Sequence, residues 1–315
     1  QQDEPAAANL AGGKPGQILR RYLAATRPQF LTASTLAVVV GTAWGWRIAG
    51  SLDLVAFLLA LLSVALVHAA ANVLNDVFDE LNGSDGLNVD RIYPYTGGSR
   101  LIQNQVMSLA AMRNWGIGLS LGALVPGLIL AMHAGPAILY FGAAGLALAI
   151  LYSAPPVHLA GRGLGELAVA AGFGLLPVNG AAWLQSDRID NGGLLLSIAV
   201  ACWVTAILLI NEVPDLKADR RVGKRTLAVR LGERGVAKLY RGLHALALIA
   251  LLGGISAGWL PLWSAPVPAV LSIVAIRAVD RALGSARMTP ADLRAAILTT
   301  LAAHTLGCAW LTVVV

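Results

Sequence analysis

Cysteine is nearly absent from this chain. Cys202 and Cys308 are the only two in 315 residues, each lies in an apolar run, and they show no pair spacing, so no disulfide framework is indicated. Charge is equally scarce, at 13% of residues against about 25% in an ordinary soluble domain. With 57% hydrophobic residues and a mean hydropathy of +0.69, a soluble globular enzyme is excluded. Ten-residue segments of alternating apolar and polar character are missing, which argues against a β-barrel. The first sixteen residues hold no apolar core of the kind a secretory signal needs, and they read as disordered.

What is present is a series of long apolar stretches. A membrane-crossing helix needs about 20 such residues. Nine stretches qualify, at roughly 30–50, 54–75, 108–131, 134–152, 164–184, 192–211, 235–258, 262–280 and 292–315. The expectation is an all-α polytopic membrane protein: one domain over 28–315 with nine transmembrane helices around a central cavity. A disordered or interfacial segment, 1–27, precedes it. Arg20, Arg21 and Arg27 lie among Ile18, Leu19, Tyr22 and Leu23, as in a segment lying at the bilayer surface.

The net charge of +6 does not indicate nucleic acid, because of where the charge falls. With the N-terminus inside, 21 of the 23 Lys and Arg residues lie in or beside cytoplasmic connections, and only Arg47 and Arg188 fall on the other side. That asymmetry is the positive-inside pattern. It puts the N-terminus and the two longest connections in the cytoplasm and the C-terminus on the outer side. Trp44, Trp46, Trp259 and Trp263 read as an aromatic belt at the outer interface.

Each of the two long connections opens on acids. The first carries Asn75, Asp76 and Asp79, with Asp85 behind them. The second carries Asn211, Glu212 and Asp215, followed by Asp219. If the second span continues as helix, Asn72, Asn75, Asp76 and Asp79 share one face; Asn211, Asp215 and Asp219 would share another, with Pro214 breaking the regular ladder and kinking the end of the sixth span. Carboxylates beside hydrocarbon are costly and read as functional. Carboxylates and amides facing each other form a cradle of oxygens for a divalent ion, with an anion held through it. Basic residues follow the second cluster, among them Lys217, Arg220, Arg221, Lys224 and Arg225. Simple pairing of surface charges is the competing account. His244 and His304, alone within spans, read as packing residues. His68, a turn before Asn72, fits a cavity position or a packed hydrogen bond equally well. Glu166 is expected to pair with Arg162.

Two Asp-rich segments after spans two and six resemble the UbiA superfamily of intramembrane prenyltransferases, over most of the chain from Arg27 onward. NDVFDELNGSD is closest to the menaquinone-type branch. So are Tyr152-Ser153-Ala154-Pro155-Pro156, the RGLGE run from Arg162 to Glu166, and GKRTLAVRLG from Gly223 to Gly232. Two segments depart from that branch: NEVPD stands where NNxRD is usual, and the 93–100 stretch YPYTGGSR is atypical.

The resemblance implies Mg²⁺-dependent transfer of a polyprenyl group from an allylic diphosphate to an aromatic acceptor, 1,4-dihydroxy-2-naphthoate first. In that scheme Asp76, Asp79, Asp215 and Asp219 hold metal, supported by Asn75, Asp85 and Asn211. Arg91, Arg100, Lys224 and Arg225 meet the diphosphate. Arg27, Asn72, Tyr93, Tyr95 and Tyr152 face the acceptor or the developing cation. Alternatives are another acceptor, such as 4-hydroxybenzoate, homogentisate or a non-quinone lipid. A different class is an ion-coupled secondary transporter, although its acids belong near the midplane rather than at helix ends. The partners implied are the two substrates and membrane lipid, with no obligate protein partner.

Overall fold

A computed structural model describes residues 4–285 and 288–315. Residues 1–3 of the N-terminal segment, and Ala286 and Arg287, lie outside the described residues. Helices dominate, and no strand occurs among the described residues. In chain order they are α1 (Ala7–Leu10), α2 (Pro15–Ala25), α3 (Thr32–Ala49), α4 (Leu54–Asn82), α5 (Ser84–Leu87), α6 (Leu109–Ala134) and α7 (Ile138–Ser153). Then come α8 (Gly165–Val169), a π-helical turn (Ala170–Leu175), α9 (Leu176–Ser186), α10 (Asn191–Asn211), α11 (Leu216–Arg221), α12 (Leu227–Ser256), α13 (Pro266–Gly284) and α14 (Pro290–Val314).

Seven helices among the described residues are long and apolar enough to cross a membrane, counting Gly165–Ser186 as one. Helices α3 and α7 stand where the other two spans are expected. However, α7 has only 16 residues, and the 18-residue α3 is diluted by Thr32, Ser34, Thr35, Thr42 and Arg47. Length and hydropathy alone therefore yield seven spans rather than nine.

The bundle is arranged around α10, 78% of whose apolar window is buried, against 28% for α6 and α13, which face outward. Close approach elsewhere depends on small residues. A Cβ on Gly41 would lie 2.1 Å from the Val178 carbonyl oxygen, and one on Gly45 would lie 2.5 Å from that of Ala182. These glycines, four apart on α3, let α9 pack backbone to backbone. The π-turn has a local cause. Pro177 has no N–H to give the carbonyl four residues back, at Phe173, so the regular ladder opens there.

The expected disorder before Gly16 is not what the described part has. From Glu4 the chain folds back onto the first long connection. The Glu4 carboxylate pairs with Arg91 at 2.6 Å, and the Pro5 carbonyl accepts from Asn104 Nδ2 at 2.9 Å. Helix α2 exposes Leu19 and Leu23.

Candidate active site

Helix α4 runs on to Asn82, where Gly83 closes it in the left-handed region with φ 82°. Asn72, Asn75, Asp76 and Asp79 thus share one helix, as their spacing predicts. The second cluster differs from expectation. After Asn211 the ladder gives way to a turn over 212–215, and α11 begins at Leu216. Pro214 cannot donate to a helical ladder, so Asn211, Asp215 and Asp219 are not one continuous helix face. Asp219 nonetheless stays in register, its N–H donating to the Asp215 carbonyl at 2.9 Å.

Both clusters open into one chamber with about 1360 Å³ of empty space out to its mouth. Its walls include Arg27, Asn72, Asn75, Asp79, Asp85, Tyr152, Asn211, Asp215, Asp219 and Lys224. Two contacts join the clusters across 127 and 145 residues of sequence: Asn88 Nδ2 donates to Asp215 Oδ1 at 2.5 Å, and Lys224 Nζ to Asp79 Oδ1 at 2.6 Å. Lys224 Nζ also lies 3.4 Å from Asp219 Oδ1. Asp76 sits just behind the wall, buried, with Oδ2 accepting the Ser99 N–H at 2.9 Å. The Gly97-Gly98 pair, with φ 73° and 74°, turns the loop so that Ser99 reaches Asp76. A Cβ on Gly98 would lie 2.4 Å from Asp85 Oδ2 and 3.1 Å from Asp76 Oδ1, so those two oxygens close around the bare glycine.

Other expected site residues are placed differently. Arg91 is engaged by Glu4 and by the Asn88 carbonyl, the latter at 2.6 Å. Arg100 is buried and donates to the Asp85 carbonyl at 2.6 Å, bracing the loop from behind. Arg225 is exposed outside the chamber, its N–H donating to the Gly161 carbonyl at 2.8 Å. Of the four basic residues assigned to diphosphate, only Lys224 lines the chamber. Tyr93 is not in the lining, whereas Tyr95 is; its carbonyl accepts from Arg27 Nη2 at 2.9 Å, while the Arg27 guanidinium lies over the Phe30 ring at 4.9 Å. Asn75 Nδ2 donates to Ser153 Oγ at 3.1 Å, and Asn72 Nδ2 to the Thr26 carbonyl at 2.9 Å.

Sequence reasoning missed Asn88, Thr96 and Phe30, which carry no motif of their own. Nor is the expected Glu166–Arg162 pair present: Arg162 Nη2 donates to the Pro156 carbonyl at 2.6 Å, and Glu166 lies buried beside Glu212.

Burial sets the protonation of the acids outside the spans. It pushes the Asp219 carboxyl up to about 6 against the pull of Lys224, with Asp215 and Asp79 adding to the rise. Asp85 and Asp215 move the same way, each chiefly through burial. Burial alone would lower the Lys224 ammonium, but Asp79 and Asp219 outweigh it and hold its pKa above the ordinary value. The folded chain thus holds carboxyl protons more tightly than the unfolded chain. The linked stability is complete below the ordinary value of 3.8 and is lost as pH rises to about 6. Metal-free protein in detergent should therefore unfold at a lower temperature at about pH 7.5 than at about pH 5. Thermal unfolding across that range checks this, and a Tm that climbs with pH contradicts it.

The donor set suits a hard cation. Asp76 Oδ1, Asp85 Oδ2, Asn88 Oδ1 and Asn211 Oδ1 are buried oxygens without a protein partner. Oxygen ligands of this kind are what Mg²⁺ accepts, usually with substrate phosphates completing its shell. No group of three or more His, Cys, Asp or Glu among the described residues forms a ready-made ion site. Lys224 instead supplies the countercharge between Asp79 and Asp219.

Comparison with known proteins gives this arrangement its family. Residues 35–291 match the profile of the "UbiA prenyltransferase family". The chain belongs to the UbiA prenyltransferase family. It is an integral membrane prenyltransferase. It is 35% identical over 228 residues to 1,4-dihydroxy-2-naphthoate octaprenyltransferase of Mycobacterium tuberculosis, covering 72% of this chain and 75% of that protein. It is 33% identical over 295 residues to the enzyme of that name from Escherichia coli, covering 89% and 92%. In three dimensions it resembles a UbiA homolog from Archaeoglobus fulgidus solved with GPP and Mg²⁺, at a TM-score of 0.67 and 16% identity over 91% of this chain and 99% of that one. That likeness establishes the UbiA fold.

Proposed function

We propose that this chain transfers a polyprenyl group from an allylic diphosphate to 1,4-dihydroxy-2-naphthoate, in a Mg²⁺-dependent reaction within the chamber. One observation carries the reading: two acidic segments far apart in sequence meet over a cavity whose deeper walls are apolar, including Ala33, Leu148, Val169 and Ile207. An allylic diphosphate is an amphiphile that needs countercharge at its head and hydrocarbon around its tail. The names of the two bacterial relatives support the naphthoate acceptor. We propose further that residues 28–315 act as one membrane unit, with the chamber mouth and N-terminus cytoplasmic and the C-terminus outside. The distribution of basic residues supports that orientation.

Asp76, Asp79, Asp85, Asp215 and Asp219, with Asn75 and Asn211, would hold the metal. Magnesium bound there supplies positive charge where the leaving diphosphate gains negative charge. Lys224, held between two carboxylates, adds a point charge for phosphate oxygens. Tyr152, Tyr95 and Phe30 line the chamber and offer aromatic rings to stabilise the electron-deficient allylic carbon. The apolar walls exclude water, so the ring carbon of the acceptor rather than hydroxide meets that carbon. The carbon–oxygen bond to diphosphate breaks, a carbon–carbon bond forms, and the acceptor carboxyl leaves as carbon dioxide. Arg27 offers a guanidinium for the acceptor carboxylate before that loss.

A panel of aromatic acceptors with one labelled prenyl diphosphate, products identified by mass, tests the proposal. Prenylated, decarboxylated naphthoquinol should form with Mg²⁺, and chelation by EDTA should abolish it. Product formed only from 4-hydroxybenzoate or homogentisate would replace the acceptor. Turnover that persists after chelation would remove the metal.

A further inference from the structure

A second cavity with about 1260 Å³ of empty space lies deeper in the bundle, between α4, α6, α7 and α9. Every side chain lining it is apolar apart from Ser63, and its rim includes the exposed Leu124, Leu128 and Leu139, so it opens toward lipid. It shares four lining residues with the acid-lined chamber: Val67, Gly145, Gly172 and Phe173. The two spaces therefore adjoin at these four residues, a neck between them, and two of the four lack a side chain.

Those glycines are not required by close helix packing. A Cβ on Gly145 would meet nothing within 4 Å, and one on Gly172 would meet only Leu148, at 3.7 Å. This contrasts with Gly41 and Gly174, where a Cβ would strike backbone at 2.1 Å and 2.4 Å. Neither neck glycine takes a positive φ, so backbone freedom does not explain them either. The fourth wall residue, Phe173, lies in the π-helical turn and stacks on His68 with ring centroids 4.1 Å apart. His68 is itself held by Ser34 Oγ at 2.8 Å from Nδ1. One side of the opening is thus a braced aromatic plate, Val67 forms another, and the two glycines leave the rest bare.

We propose that Gly145 and Gly172 determine which prenyl donors this enzyme accepts, by keeping the neck wide enough for an extended isoprenoid chain to pass from the acid-lined chamber into the apolar one. This rests on the proposed prenyl transfer. The occupant is the donor's own hydrocarbon tail: the apolar cavity adjoins the far end of the chamber that holds the site proposed for its diphosphate head, and its rim lets the far end of a long tail remain in lipid. A donor short enough to end before the neck is indifferent to its width. A longer one must thread it, and a leucine side chain on either glycine would block the path.

The experiment compares kcat/KM for a donor series from dimethylallyl through geranyl and farnesyl to octaprenyl diphosphate, using full-length protein in detergent or liposomes. Gly145→Leu and Gly172→Leu should lower the ratio of octaprenyl to dimethylallyl kcat/KM by tenfold or more. Gly145→Ala and Gly172→Ala, which the surrounding space accommodates, should lower it in the same direction by less. Gly118→Leu, at an equally open glycine on α6 outside both cavities, should leave the ratio at its wild-type value. An unchanged ratio in both leucine variants, or an equal fall for every donor in the alanine variants, overturns the proposal. A wild-type protein that turns over no donor at all overturns the prenyl-transfer reading beneath it. That outcome is distinct from a wild type that works and variants that fail to discriminate.

Discussion

Asp215→Asn is expected to lower prenyl transfer by about 10³-fold, the scale of removing one preorganised electrostatic contact from a transition state. The substitution is isosteric, and the replacement amide can still accept the Asn88 Nδ2 donor that now sits 2.5 Å from Asp215 Oδ1. What it removes is a negative charge on the side of the chamber facing Asp79 and Asp85. Burial already raises the Asp215 carboxyl above its ordinary range, so the folded chain bears a cost for keeping it ionised. The variant should therefore unfold at the same or a higher temperature than wild type without metal, while losing activity and needing more Mg²⁺ for what remains. This opposition of stability and function is the signature of a site rather than of a scaffold. Consumption of labelled donor, a Mg²⁺ titration and thermal unfolding measure the three quantities. Activity within tenfold of wild type would show that Asp215 is not part of the metal-binding set.

Gly98→Ala should cost about 10²-fold in turnover, because a displacement of about 1 Å in a catalytic constellation has effects of that size. The added Cβ would lie 2.4 Å from Asp85 Oδ2, and the residue has φ 74°. The left-handed conformation alone costs a non-glycine residue about 1–2 kcal/mol. Gly50→Ala separates the two terms. Gly50 also has a positive φ, 73°, but a Cβ there meets nothing within 4 Å, and it caps α3 away from the acids. Gly50→Ala should lose only the backbone part of the stability, Gly98→Ala at least that much, and only Gly98→Ala should lose most of its activity. Equal activity in the two would mean that the glycine loop does not position Asp76 and Asp85.

Both results depend on a short piece of chain whose importance is hard to read in one dimension. Asp76 and Asp79 announce themselves because acids seldom end an apolar helix. Gly97-Gly98-Ser99 reads only as an unusual loop, yet it supplies the backbone N–H that Asp76 accepts. Asn88 is similarly silent in sequence and joins the two clusters. The basic residues show the opposite problem. Lys224, Arg225, Arg91 and Arg100 look equivalent as cations near acids. Folding sends Lys224 into the chamber, Arg225 to the outer surface, Arg100 behind the loop and Arg91 to Glu4. Their fates depend on where each Cα points after the chain has turned, which composition does not encode.

The amino-acid order by itself determined the membrane class, the helical architecture, the family resemblance and the two acidic segments. Each follows from local properties: run length of apolar residues, positions of charge along the chain and residue identity within a motif. The tertiary structure alone decided that the segments share one chamber, that the break at Pro214 becomes a turn over 212–215 before α11, and that two glycines lie where that chamber adjoins a second, apolar space. Those features arise from helix packing and from backbone direction at turns, where residues more than a hundred positions apart come within a few ångströms.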